Sequence, residues 1–240
     1  MSHIISNHID KWVSQILISD NEKDREEHVS SGKLSASMLG APLQAQILKV
    51  KGVPPKEVDE YVLRKFKRGK DVEDWLVKTL PALIATQKPV EYRNVVGLID
   101  AVVSTSGWEK DFGAIPLEVK SVTNAKYKNI IRSGEADRSH ILQACLYALA
   151  ESKDYFAICY IASDDYRITT MIFKTADYKA EVDSIIDKFE AQLASEMIPM
   201  FEAIEKWQSS PQYYSYPDFM DLNLEEVNAK FKKEYESKKK

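Results

Sequence analysis

Two short apolar segments carry three charged residues at positions where a buried strand normally has none. Residues 97–103 (GLIDAVV) contain Asp100, and residues 115–122 (IPLEVKSV) contain Glu118 and Lys120. Both segments are rich in β-branched residues and bounded by turn formers, which predicts two adjacent core strands. Because side chains alternate along a strand, Glu118 and Lys120 share one face and Val119 points to the other. Buried charges must be compensated, so we expect mutual pairing or a hard divalent cation held by Asp100 and Glu118.

Further polar residues stand in a fixed order around Glu118 and Lys120, which makes the pattern more specific than the tripeptide alone. Glu-x-Lys also occurs at residues 151–153 and 236–238, but only the copy at 118–120 lies in an apolar strand. Glu73 precedes it on a predicted helix, and Gln143 and Tyr147 follow on another, where their i, i+4 spacing puts them on one face. The full series is Gly69-x-x-x-Glu73, Asp100, Glu118-x-Lys120 and Gln143-x-x-x-Tyr147.

This series resembles the signature of the PD-(D/E)XK nuclease superfamily, and especially its RecB-like and lambda-exonuclease-like branches, over roughly residues 34–170. The resemblance implies an α/β, restriction-endonuclease-like core with a central mixed β-sheet flanked by helices. We expect a single domain over residues 1–240, with its core at about 34–175, a helical N-terminal extension at 1–33 and C-terminal helices at 176–240.

The resemblance also assigns roles to the polar residues. Asp100, Glu118 and the backbone carbonyl of Val119 would bind Mg²⁺ or Mn²⁺, and Glu73 would complete a second metal site. Lys120 would orient the attacking water and stabilise the pentavalent phosphate, while Gln143 would bond the lysine or a metal-bound water. Alternatives stay open on this evidence. The charged helix start around Glu73 offers Asp71 and Asp74 as well, Gln143 fits a solvated surface position, and Tyr147 fits either the core or a DNA contact.

The implied activity is that of a Mg²⁺-dependent DNA exonuclease with 5′-phosphate products, acting in recombination, repair or viral DNA processing. A structure-selective or single-strand endonuclease of the same fold is the first alternative, since fold does not fix function. A non-catalytic DNA-binding protein is the second, and the intact set of Asp100, Glu118 and Lys120 argues against it. The resemblance further implies DNA, a single-strand annealing or recombination protein and a second copy of the chain as partners.

The charge distribution is compatible with DNA binding although the formal net charge is −4. Residues 49–70 carry eight basic and three acidic residues, and residues 120–140 carry five basic and two acidic ones. These stretches flank the candidate site, which predicts a basic groove on an otherwise acidic body, with solvated helix faces as the plain alternative. The candidate DNA-binding residues within them are Arg68, Lys126, Lys128 and Arg132.

A further candidate contact lies near the start of the nuclease-like region. Ser35 and Ser37 precede the apolar run 38–50, where serine is typical of a helix N-cap. With Lys33, the same helix start would bind a DNA phosphate through free amides and the helix dipole. In the lambda-exonuclease-like branch, a serine in this region helps to hold a terminal phosphate.

The remaining composition excludes other classes. Cys145 and Cys159 lie in apolar segments without metal-ligand spacing and are interpreted as buried thiols. Related nucleases with an iron–sulfur cluster need four cysteines, and Gly40 and Ala41 stand about where the first is expected, so we expect no cluster. The start lacks a signal-peptide pattern and no run of 18 apolar residues occurs, which predicts a soluble, cytoplasmic protein without membrane contact.

Periodicity and turn signals predict the elements in outline. Helices are expected at residues 8–18, 38–50, 57–86 with an interruption near Gly69, 139–151 and 182–207, with a charged loop after residue 18 and a proline- and tyrosine-containing turn at 208–216. Strands are expected at 90–93, 96–103, 115–122, 155–162 and 167–174.

Overall fold

The computed structural model describes residues 8–27, 32–51 and 58–195. Within these ranges six strands form one mixed sheet with helices on both faces. In chain order the elements are α1 (His8–Glu27), β1 (Leu34–Ser35), a single 3-10 turn (Ala36–Met38), α2 (Leu43–Val50), α3 (Glu60–Thr79), β2 (Leu83–Tyr92), β3 (Val95–Ser104), β4 (Ala114–Val122), α4 (Asn124–Ser133), α5 (Arg138–Ala150), β5 (Tyr155–Ala162), β6 (Ile168–Lys174) and α6 (Ala176–Ala194).

The sheet combines hairpins with two parallel pairs, β1 with β3 and, through a helical crossover, β4 with β5. β3 pairs antiparallel with β2 and β4, and β5 pairs antiparallel with β6. Between these hairpins β4 and β5 run parallel, because α4 and α5 carry the chain back to the end of the sheet at which β4 began. The predicted α/β class with a central mixed sheet and flanking helices is therefore confirmed.

Strand alternation divides the core into two layers. On one face Phe156, Ile158 and Tyr160 of β5 pack with α5 and α6. On the other face Val119 and Cys159 pack with α3. Glu118 lies beside Ile158 in the β4–β5 register and therefore points to the α5 face. Both cysteines are buried free thiols, which confirms that interpretation.

Local sequence explains the start of α3 and the end of α4. Asp59 caps α3 by accepting from the Tyr61 amide, and Gly134 ends α4 with a left-handed backbone (φ 68°). The hairpin between β2 and β3 turns over Arg93 and Asn94, as predicted from the asparagine. None of the helices in the described ranges is long and apolar enough to cross a bilayer.

Several predicted boundaries are wrong. α1 continues through the charged stretch to Glu27, since its glutamates and lysines are good helix formers. α3 runs through Gly69 without interruption and ends at Thr79, so residues 83–87 are strand, held by pairing with β3 rather than by local propensity. α4 is an additional helix that the sequence analysis did not predict. The expected features beyond residue 195 lie outside the described residues.

Candidate active site

The candidate site lies where β3 and β4 separate. The two strands pair from Ala101–Leu117 to Ser104–Ala114 and no further. Extending this register places Asp100 opposite Glu118 at the first unpaired position. There the Val119 amide donates a hydrogen bond of 2.9 Å to Oδ2 of Asp100. The Asp100 carboxylate thus replaces the strand that β4 has lost as a neighbour.

The next free amide of β4 is satisfied in the same way. The Ser121 N–H donates a 2.7 Å hydrogen bond to Oε1 of Glu73, which reaches the strand from α3. The Val122 carbonyl accepts a hydrogen bond from the Ser163 amide, on the β5 side of the strand. Backbone N–H and C=O groups alternate sides along a strand, so those of Val119 and Ser121 point away from β5. The N–H and C=O of one strand residue share a side, and the Val119 carbonyl therefore points into the opening that Asp100 occupies.

Glu118 and Lys120 form a buried ion pair on the α5 face of the strand. Glu118 is only 1% exposed, and neither of its oxygens accepts a well-directed hydrogen bond within the described residues. Burial raises the pKa of Glu118 to about 8, with a further contribution from Asp100 and Glu73, although the Lys120 ammonium opposes the rise. Burial lowers the pKa of Lys120, but the carboxylates of Glu118, Asp100 and Glu73 together outweigh the effect of burial. The pKa of Lys120 is therefore raised above its ordinary value.

The other two carboxyl groups experience the same environment. Burial raises the pKa of Asp100 and of Glu73, and the neighbouring carboxylate of Asp74 adds to both shifts. Carboxyl groups that raise one another's pKa are the oxygen donors that a hard divalent cation would stabilise in ionised form. No three histidine, cysteine or carboxylate side chains form a ready metal cluster in residues 8–27, 32–51 and 58–195. The fit therefore rests on Asp100, on Glu118, whose oxygens accept no well-directed hydrogen bond, and on the Val119 carbonyl.

Gln143 and Tyr147 stand behind the site. Gln143 Nε2 donates a 2.8 Å hydrogen bond to the Tyr147 hydroxyl. The predicted bond of Gln143 to Lys120 or to a metal-bound water stays a prediction. Tyr147 is 2% exposed and packs against the backbone of β3 at Gly97, where an added Cβ would lie 2.4 Å from its ring. Of the two interpretations of Tyr147, the core position agrees with this enclosed side chain, and a contact with DNA stays a prediction.

Sequence reasoning missed His140. Its Nδ1 lies 3.0 Å from the Tyr160 hydroxyl. Burial, together with the nearby ammonium of Lys120, lowers the pKa of His140 to about 3, so the ring is neutral at physiological pH. The signal was present, since His140 precedes Gln143 by three residues and three-residue spacing puts both on one helix face.

The predicted phosphate-binding helix start near Ser35 and Ser37 differs in the structure. The helix expected from residue 38 begins only at Leu43, after the single 3-10 turn. Ser35 precedes that turn without a side-chain capping bond, and its hydroxyl lies 2.7 Å from that of Ser37. Lys33 forms a 2.6 Å ion pair with Glu91. The α-helical N-cap is thus wrong, and a DNA contact at these residues stays a prediction.

The remaining predicted DNA contacts fall into two groups. On α4, Lys126 pairs with Asp137 and Arg132 donates to Asn129 at 3.1 Å, while Lys128 is exposed. On α3, Arg68 lines a cavity of about 510 Å³ beside Glu73. Of these four residues, Arg68 therefore lies nearest to the candidate site, in a cavity that Glu73 also lines.

Comparison with solved structures supports the fold. An alkaline exonuclease from Laribacter hongkongensis superposes with a TM-score of 0.52 at 16% identity, covering 70% of this chain and 90% of its own. SSO0001 superposes with a TM-score of 0.53 at 15% identity, covering 87% of this chain and 95% of its own. No protein-family model and no curated protein matches the sequence. These likenesses confirm the expected fold, which the chain shares with an alkaline exonuclease.

Proposed function

We propose that the protein is a Mg²⁺-dependent deoxyribonuclease that degrades DNA as an exonuclease, in recombination, repair or viral DNA processing. The observation that carries the proposal is the opening between β3 and β4, where Asp100, Glu118 and Glu73 converge on Lys120. A fold shared with an alkaline exonuclease supports the same chemistry. Asp100, Glu118 and the Val119 carbonyl would hold the cation, with Glu73 as the donor for a second one.

Phosphodiester hydrolysis needs an oriented water, neutralised phosphate charge and help for the departing oxygen. A bound divalent cation supplies Lewis acidity and lowers the pKa of a water ligand. Lys120 keeps its proton in this carboxylate environment and supplies a fixed positive charge for the phosphoryl oxygens. The Glu118 carboxylate fixes the position of the Lys120 ammonium by pairing with it.

Three residues of α5 support the candidate site by positioning the strands that carry it. The Tyr147 ring packs under β3 at Gly97, three residues before Asp100, and Gln143 fixes its hydroxyl. His140 occupies the same helix beside Lys120 as a neutral ring and adds no competing charge. We infer that these side chains hold the two strands at the separation that the carboxylates require.

The test compares DNA forms and cofactors in one assay. Fluorescent linear single-stranded and duplex DNA, with and without 5′-phosphate, and closed circular DNA are incubated with Mg²⁺, with Mn²⁺ or with EDTA. We expect metal-dependent release of 5′-phosphorylated nucleotides from linear DNA and an intact circle. Efficient cutting of the circle would establish the endonuclease alternative, and no cleavage with either metal would overturn the proposal.

Asp100→Asn, purified in parallel, is the control for contaminating nucleases. The substitution keeps the shape of the side chain and removes its charge. Equal cleavage by the variant and the wild type would assign the activity to a contaminant or to another site.

A further inference from the structure

A cavity of about 510 Å³ adjoins the candidate site on the side of Glu73. Ser121 and Thr123, from the end of β4, and Ser163, which follows β5, form one wall, and α3 forms the other. The cavity thus lies outside the carboxyl ends of two parallel strands, the place where open α/β sheets bind ligands. Glu73 lines it, so the cavity is continuous with the carboxylate cluster.

Five basic residues of α3 lie around this cavity and a neighbouring one on the side of α1, and Arg68 lines both cavities. Arg64 and Lys67, on the side of α1, are neutralised by Glu60 and Asp71. Facing the cavity are Lys65, Arg68 and Lys70.

The cavity-facing cations are far less compensated. Within the part of the chain that the structure describes, Lys65 and Lys70 form no ion pair, and Lys65 lies 4.1 Å from the centre of the Tyr61 ring. Arg68 has only Asp164, at 3.4 Å. Positive charge therefore accumulates on the wall that faces Ser121 and Thr123.

The opposite wall also favours an anion. Thr123 is the N-cap of α4, a ten-residue helix with no acidic residue in its first turn. Free amides and the helix dipole give such an end partial positive charge. Ser163 is 8% exposed, and its hydroxyl has no hydrogen-bond partner among the residues described.

We propose that this cavity is a phosphate subsite that holds a nucleotide phosphate next to the one being cleaved. Arg68 and Lys70 neutralise its charge, and the start of α4 at Thr123 supplies amide donors. Phe66, 55% exposed on the same wall, offers a ring face for the attached base. The inference rests on the proposed function, since it specifies how that site holds its substrate.

A neutral-linkage scan tests the subsite. Single-stranded oligonucleotides, each with one methylphosphonate at a different position, are titrated by fluorescence anisotropy in EDTA, where no cleavage occurs. The subsite predicts that one position near the end weakens wild-type binding by about tenfold, because a charged contact is lost there. Uniform small losses of affinity at every methylphosphonate position would show that the cavity does not bind a phosphate within the strand.

Matched variants locate the contact. In Arg68→Gln with Lys70→Gln, we expect the penalty at the sensitive position to disappear, since the charges that recognise it are gone. The control, Lys67→Gln with Lys78→Gln, removes the same charge from exposed positions of the same helix and should retain the penalty. Equal behaviour of the two pairs would show that only overall charge matters and would reject the assignment.

The phosphate has two sources, a phosphodiester of the strand and the released mononucleotide. Calorimetric titration with a deoxynucleoside monophosphate and with the corresponding deoxynucleoside separates them. Monophosphate binding that depends on Arg68 and Lys70, with a flat scan, assigns the subsite to the product. A flat scan without such binding overturns the proposal.

The outcome is independent of the cleavage assay. A position-specific penalty without metal-dependent cleavage would leave the phosphate subsite standing and remove the proposed nuclease function. Cleavage with a flat scan and no monophosphate binding would do the reverse.

Discussion

The two halves of the β3–β4 pair solve the same backbone problem in opposite ways. In the closed half, the strands satisfy each other's hydrogen bonds, and Ala101, Val103, Ile115 and Leu117 can be buried and apolar. In the open half, the strands separate and the β4 amides bond to Asp100 and Glu73. Losing a strand partner thus draws carboxylates into the core, where burial raises the pKa of each. The closed half thus has the features of a stable core, and the open half gathers the groups that the proposed hydrolysis needs.

The largest effect that follows from this division is on catalysis. Lys120→Ala should reduce the cleavage rate at least about 10²-fold, because the ammonium acts chiefly on charge that develops in the transition state. Folding should be preserved, since Glu118 can remain protonated without its partner. Single-turnover rates and thermal melts measure the two properties. A variant with more than about a tenth of the wild-type rate would remove Lys120 from the mechanism.

An intermediate effect concerns the stability of the open half. The raised pKa of Glu118 means that the folded protein holds a proton which the unfolded chain releases, between about 4.5 and about 8. Stability of the metal-free wild type should therefore fall as pH rises through this window. Glu118→Gln lacks the titration, so its melting temperature should exceed that of the wild type by several degrees at the upper end and by little at the lower end.

Metal provides the control for this pH series. Mn²⁺ should raise the melting temperature of the wild type near the upper end of the window and leave Glu118→Gln almost unchanged, because binding stabilises only a fold that retains the ligand. An equal rise in both proteins would place the metal site elsewhere. A constant difference between them across the window would mean that Glu118 titrates normally.

The smallest effect belongs to the closed half. Ile115→Val removes one buried methylene and should cost about 0.5–1.5 kcal/mol in the free energy of unfolding, with an unchanged cleavage rate. Leu98→Ala, at an exposed position on β3, is the control and should change stability by less than about 0.5 kcal/mol. Urea unfolding and initial rates test both. A loss of activity in folded Ile115→Val would mean that the two halves are coupled.

The strand that carries Glu118 and Lys120 could be predicted well from the sequence, and its surroundings could not. Charges at Asp100, Glu118 and Lys120 were visible because apolar neighbours made them anomalous, and β5 was predicted from residue 155 to 162 as observed. The bond from the Val119 amide to Asp100 was not visible, since it depends on where two strands separate. Residues 83–86 were predicted as helix, whereas they form a strand because they pair with β3. Ser163 carries no local signal and joins the cavity only through the parallel crossover.

That crossover has a consequence for the nascent chain. The hydrogen bond between Glu73 and the Ser121 amide joins residues 48 apart, and β4 obtains its parallel neighbour only with Tyr155–Ala162. At synthesis rates of about 5–20 residues per second, the full set of charged residues emerges seconds before the strand that supports it. Such distant pairing also folds slowly, because loop closure precedes the contacts that reward it. The carboxylate cluster therefore forms late, after most of the sheet has been made.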